Sequence, residues 1–111
     1  MKQGEIWRVS LDPTVGAEMK KSRPCLILNG NTIGKLPLKL IAPLTDYKEI
    51  YLGAAWMVTI DPSPLNGLTK RSTIDLFQVR SVSQKRLIEK IGVVDDTVLK
   101  ACRDAIEVVI K

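Results

Sequence analysis

The densest run of chemically capable side chains is Lys20-Lys21-Ser22-Arg23, three cations and a hydroxyl in four consecutive residues. Cations so spaced can grip phosphate, and Arg does so with a planar fork that matches two oxygens. The rest of the inventory is defined by what it lacks. The chain has no histidine and two cysteines, Cys25 and Cys102, far apart and each in an apolar context. Serine–histidine and cysteine–histidine nucleophile pairs are therefore ruled out, and a zinc site lacks its usual ligands. Both cysteines read as buried free thiols. Gly30 and Gly34 have neither the Lys-Ser/Thr nor the spacing of a phosphate loop. Asp95-Asp96 reads as a helix cap rather than a magnesium site. The site is expected to hold no metal and no cofactor.

One reaction runs on that inventory. RNA brings its own nucleophile, the ribose 2′-OH. Its attack on the adjacent phosphodiester needs a proton acceptor, a proton donor and cations that hold the phosphate as charge builds. An Arg beside a Thr or Ser hydroxyl in a basic groove meets the charge requirement. The overall charge agrees: 17 Lys and Arg against 12 Asp and Glu give +5. The surplus is N-terminal, with seven basic and four acidic residues in 1–46. A basic surface attracts nucleic acid because phosphate contacts release condensed counterions.

The elements that must position these groups are mostly short strands. Trp7, Val9 and Leu11 alternate with Ile6, Arg8 and Ser10, so Glu5 to Leu11 reads as a half-buried strand. Asp12-Pro13-Thr14-Val15-Gly16 breaks it, and residues 12–22 read as a polar loop. Pro24 to Leu28 reads as a strand buried on both faces, Leu38 to Leu44 as a third and Ala54 to Ile60 as a fourth. Asn66-Gly67 is a turn signal. Ser72 to Val82 is β-rich, with a shift of alternation near Phe77-Gln78 that predicts a bend. Gln84 to Lys90 reads as a short helix or turn. Val98, Cys102, Ala105, Ile106 and Val109 fall at helical spacing behind an Asp95 N-cap, which predicts a helix over 96–110. Its apolar stripe, like Trp7 and Trp56, reads as core or interface. Residues 1–111 form a single domain, a small bent antiparallel sheet or barrel closed by a helix. The start MKQGEIWRVS has no apolar h-region, and no apolar run reaches the ~18 residues of a membrane span. The expected location is the cytoplasm, away from any membrane.

In order along the chain, several segments resemble the MazF/PemK-type toxins. Gly4-Glu5-Ile6-Trp7 opens like the family, and Pro13-Thr14-Val15-Gly16-Ala17-Glu18 is similar to its Pro-x-x-Gly-x-Glu loop. Arg23-Pro24 resembles the Arg-Pro that opens its second strand. Ala42-Pro43-Leu44-Thr45 resembles the end of its third, and Gln78-Val79-Arg80-Ser81 its Gln-x-Arg-Thr segment. The resemblance implies a mainly β (β plus α) fold, a small SH3-like barrel of five to seven strands with a C-terminal α-helix. It implies a homodimer that cleaves single-stranded RNA at short sequences without metal, leaving a 2′,3′-cyclic phosphate and a 5′-hydroxyl. It also implies a cognate antitoxin whose acidic C-terminal segment occupies the RNA groove.

By the same resemblance Arg23 and Thr45 are the catalytic pair, Arg23 on the scissile phosphate and Thr45 as its hydroxyl partner. Glu18, Lys20, Lys21, Gln78 and Arg80 fall where relatives contact RNA. The sequence departs from the pattern at Phe77, where many relatives carry an acid, and at Met19 after Glu18; the nearest acid is Asp75. Two other functions stay open on one sequence. The CcdB toxins share the barrel and poison DNA gyrase by protein binding, and a barrel of this kind can bind RNA without turnover.

Overall fold

In the computed structural model, which describes residues 1–33 and 35–111, Gly34 lies outside the described residues. Among the described residues, seven strands and one long helix follow in the order β1 (Glu5–Ser10), β2 (Ser22–Ile27), β3 (Leu38–Asp46), β4 (Met57–Ile60), β5 (Ser72–Asp75), β6 (Arg80–Ser83), β7 (Leu87–Val93) and α1 (Asp96–Ile110). All pairings are antiparallel. The sheet runs β4-β5-β3-β2-β1-β7, and β6 adds to β3.

The long strand β3 organises the sheet. One of its edges pairs with β2; the other pairs with β6 at Leu38–Ile41 and with β5 at Leu44–Asp46. Ala42 and Pro43 fall in the gap between those two partners, where the chain makes a 3-10 turn over Leu76–Gln78. Proline has no N–H to offer a ladder, so a break in pairing is where a central strand tolerates it. The turn is the bend predicted near Phe77-Gln78.

The bent sheet buries both of its faces. Ile6, Leu26, Ala42, Leu44, Ile74 and Leu76 point to one side and pack with Leu99, Cys102 and Ala105 of α1. Val9, Leu11, Cys25, Ile27, Ile41, Val82 and Leu87 form a second core on the other side, with Trp7 and Met19 packed against it. This explains why β2 lacks alternation, and it places the two free cysteines in different cores. The helix follows its predicted bounds, and the Asp95 carboxylate accepts a 3.0 Å bond from Val98 N–H.

Two expectations need correction. The segment Gln84 to Lys90 is a 3-10 turn only over Gln84–Arg86; from Leu87 it is strand β7, paired with β1. Register shifts at two points of that ladder break the period-two pattern, so Ile88, Glu89 and Lys90 are all exposed. The fourth strand begins at Met57 rather than Ala54. Turns precede it, closed by Ala54 N–H to Tyr51 O and Met57 N–H to Ala54 O, both 3.1 Å, with Gly53 at a positive φ of 84°. No helix among the described residues is long and apolar enough to cross a membrane.

Candidate active site

Arg23 and Thr45 stand on neighbouring strands, β2 and β3. β2 and β3 pair Cys25 with Pro43, Leu26 with Ala42 and Ile27 with Ile41. Continuing that register two residues sets Arg23 level with Thr45. Thr45 then pairs with Thr73 on β5, and Thr73 with Thr59 on β4. Directly paired residues share a face of a sheet. One row of paired residues reads Thr45, Thr73, Thr59, and the β2–β3 register extended past Cys25 would add Arg23 to it. It lies on the face away from α1, because the intervening Leu44 and Ile74 join the helix-side core. Thr73 is fully buried and its hydroxyl is 3.2 Å from that of Thr59. Thr45 is half-buried.

The loop between β1 and β2 is braced over this face. Its base closes through Leu11 N–H to Lys21 O at 2.8 Å. Lys21 takes a left-handed φ of 64°, which turns the chain into β2. Arg80 donates to Leu11 O at 3.2 Å, and Arg86 donates to Ser10 O at 3.1 Å and to Asp12 O. The Gln78 amide oxygen accepts from Met19 N–H at 2.8 Å, while its NH2 group donates to Asp75 at 3.3 Å. Within the loop, Glu18 accepts a 2.6 Å bond from Val15 N–H. Between loop and sheet lies a cleft of about 390 Å³, walled by Ala17 to Met19, by Leu11 and Pro43, and by Phe77 to Arg80.

The predicted site residues thus fall into three groups. Arg23 and Thr45 stand on the adjacent strands β2 and β3. Glu18, Gln78 and Arg80 line the adjoining cleft, and each also holds a hydrogen bond that shapes the loop. Lys20 and Lys21 are exposed at the end of the loop, outside the cleft lining. Asp75 is buried; its two oxygens accept from Phe77 N–H and from the Gln78 side chain, so it acts as a cap of the turn.

The electrostatics favour an anion. Arg23 donates from Nε to Lys20 O at 3.3 Å, and among the described residues no carboxylate lies within ion-pair distance of Arg23, Lys20, Lys21 or Arg80. Cys25 reports the closeness of two of these cations. Burial pushes its thiol up to about 12, and the charges of Arg80 and Arg23 pull the other way. Among the described residues no group of three or more Asp, Glu or Cys is placed to hold a metal ion. Such an arrangement can bind a phosphodiester and stabilise charge growing on it.

Sequence reasoning missed two aromatic features. Trp56 and Phe77 form an edge-to-face pair with centroids 6.4 Å apart, and Arg71 stacks on Tyr47 at 4.3 Å. Both pairings join residues far apart in sequence, so no local pattern announces them. The bracing role of Arg86 was equally invisible, since its acceptors are backbone carbonyls.

The fold is one shared with solved MazF toxins. Residues 2–110 match the family model described as PemK-like, MazF-like toxin of type II toxin-antitoxin system, and the chain belongs to that family. It is 33% identical over 88 residues to Endoribonuclease PemK of Escherichia coli, covering 77% of this chain and 62% of that protein. It is 30% identical to Endoribonuclease EndoA of Bacillus subtilis, covering 97% of this chain and 92% of that one. Among solved structures, a mycobacterial endoribonuclease in complex with its cognate antitoxin has the same fold, with a TM-score of 0.77 at 16% identity over 99% of this chain and 94% of that one.

Proposed function

We propose that this protein is a sequence-selective endoribonuclease that cuts single-stranded RNA without a metal ion. The proposal is supported by a group of cations, Lys20, Lys21, Arg23 and Arg80, that among the described residues have no carboxylate partner, with Thr45 on the strand next to that of Arg23. In the reaction, the ribose 2′-oxygen attacks the adjacent phosphorus and the P–O5′ bond breaks. The products are a 2′,3′-cyclic phosphate and a 5′-hydroxyl. The 2′-OH gives up one proton and the leaving 5′-oxygen gains one, so the step needs no cofactor. Arg stays protonated in proteins, so Arg23 serves as a clamp on the non-bridging oxygens rather than as a base. Thr45 donates a hydrogen bond to the same phosphate. Lys20 and Lys21 lengthen the anion track, and Glu18, Gln78 and Arg80 meet the RNA in the cleft. Relatives named as endoribonucleases support this activity.

The same reading includes a homodimer, action on transcripts in the cytoplasm, and a cognate antitoxin. An acidic antitoxin segment laid along Lys20, Lys21, Arg23 and Arg80 would mimic the RNA backbone and block it. A structural relative solved with its cognate antitoxin supports such a partner. The test uses folded protein, long single-stranded RNAs and excess EDTA, with Arg23→Ala and Thr45→Ala alongside. Discrete cuts by the wild type, lost in both variants, are expected. Intact RNA across diverse sequences would turn the assignment toward a barrel that binds without turnover.

A further inference from the structure

We infer that Phe77, backed by Trp56, is a stacking platform for one nucleobase of the bound single strand, beside the phosphate held by Arg23 and Thr45. The inference rests on the RNA-cleaving assignment above and names a selectivity element for it.

Phe77 is the chain's one phenylalanine, and it is 67% exposed. Trp56 beside it is 39% exposed. Their rings meet at 71°, an edge-to-face geometry that leaves an aromatic face free for a further ring. Neither ring hangs on a loose segment. The Phe77 N–H is fixed to the Asp75 carboxylate at 3.0 Å, and Leu76 N–H bonds Trp56 O at 3.0 Å. Two exposed aromatic rings packed together, one of them lining a cleft, mark a contact surface.

The position favours a base over other occupants. Phe77 and Pro43 both line the cleft, and Thr45 follows Pro43 by two residues on the same face of β3. A strand whose phosphate rests at Thr45 carries a neighbouring base past Phe77. Unpaired bases offer flat π-faces that stack on aromatic side chains. Arg80 lines the same cleft, and Lys20, Lys21 and Arg23 lie at the end of the loop that walls it, a set of cations that matches a polyanion. A second copy of this +5 chain would bring like charge against them.

The test measures binding separately from cleavage. The probe is an oligonucleotide spanning a mapped cut, with 2′-deoxyribose at the scissile position so that it cannot turn over. If no cut maps, a random-sequence single-stranded RNA pool replaces it. Phe77→Ala is expected to raise Kd about tenfold, within the range for loss of one base–aromatic stack, and Phe77→Tyr to restore wild-type affinity. In cleavage assays the loss falls on KM more than on kcat. Removing the stacked base from the probe should weaken wild type by the same factor and leave Phe77→Ala nearly unaffected. An unchanged Kd in Phe77→Ala overturns the platform while leaving the nuclease assignment intact. Binding without cleavage overturns the nuclease assignment, and the Kd comparison still decides the platform. No RNA binding by folded wild type overturns both. Conversion of a dimer to a monomer by Phe77→Ala in sedimentation would give the patch to a second copy and overturn the inference.

Discussion

The side-chain amide oxygen of Gln78 accepts a 2.8 Å hydrogen bond from the backbone N–H of Met19, across 59 residues of sequence. That bond ties the β1–β2 loop to the 3-10 turn and sets the width of the cleft between them. Gln78→Ala leaves the Met19 N–H without this partner, a net cost of about 1 kcal/mol. Faster amide exchange over residues 12–21 is expected, by roughly fivefold, together with a raised KM. Gln78→Glu keeps the acceptor oxygen but sets a second carboxylate against Asp75, so it should not rescue. Unchanged exchange in Gln78→Ala would show that the loop does not depend on this brace.

The Arg23–Thr45 row makes a graded prediction. Thr45→Ser keeps the hydroxyl and should retain cleavage. Thr45→Val keeps the shape without the hydroxyl and should lose about 10²–10³-fold in kcat, the usual cost of one transition-state donor. Arg23→Lys keeps the charge but not the fork, and should fall between wild type and Arg23→Ala. Melting temperatures of all four should stay within a few degrees of wild type, which circular dichroism checks. A fully active Thr45→Val would remove the hydroxyl from the mechanism.

Glu5 makes a prediction about acid stability. Burial pushes its carboxyl up, but hydrogen bonds from the Trp7 indole, the Lys2 N–H, the N-terminal amine and Lys90 outweigh this and hold it at about 2 instead of 4.5. The folded-state value is depressed, so the contribution is full above about pH 4.5 and is lost as pH falls toward 2. Glu5→Gln should therefore melt lower than wild type at pH 7. The gap between the two should narrow below pH 4.5 and close near pH 2, as thermal melts across pH would show. A gap independent of pH would assign the loss to packing instead.

Gly92 and the Asn66-Gly67 turn press backbone against backbone. A β-carbon at Gly92 would sit 2.3 Å from the Asn66 carbonyl, and one at Gly67, where φ is +68°, only 2.2 Å from Ile91 O. Neither neighbour is a side chain that can swing away. Gly92→Ala should cost about 2 kcal/mol, a fall in Tm of roughly 10 °C. Cleavage per folded molecule should persist, because the turn lies outside the cleft. A Tm within 2 °C of wild type would mean that the turn relaxes.

Much of this was legible in the residues because local chemistry sets it. The Asp95 cap and the helical stripe from Val98 to Val109 follow from side chains three and four apart, and the β1 alternation follows from its two cores. The end of β5 was legible because register fails where the turn carries Phe77 and Gln78. Strand β7 was not legible, since its ladder to β1 shifts register twice and leaves three exposed residues in a row. Arg23 and Thr45 were singled out by resemblance alone; that they stand on adjacent strands depends on a cross-strand order that no short window encodes. The bracing by Gln78, Arg80 and Arg86 depends on carbonyls and amides, which carry no sequence signal.

The most direct measurement identifies the new ends that this protein makes on a long single-stranded RNA in excess EDTA. Attack by the 2′-OH predicts 5′-hydroxyl ends, labelled by polynucleotide kinase without prior phosphatase, facing 2′,3′-cyclic phosphates. It also predicts that no cut forms where the ribose 5′ of the break is 2′-deoxy, or when Arg23→Ala replaces wild type. Ends bearing 5′-phosphate, cuts that survive the 2′-deoxy substitution, or equal cutting by Arg23→Ala would contradict 2′-OH attack at the Arg23–Thr45 row.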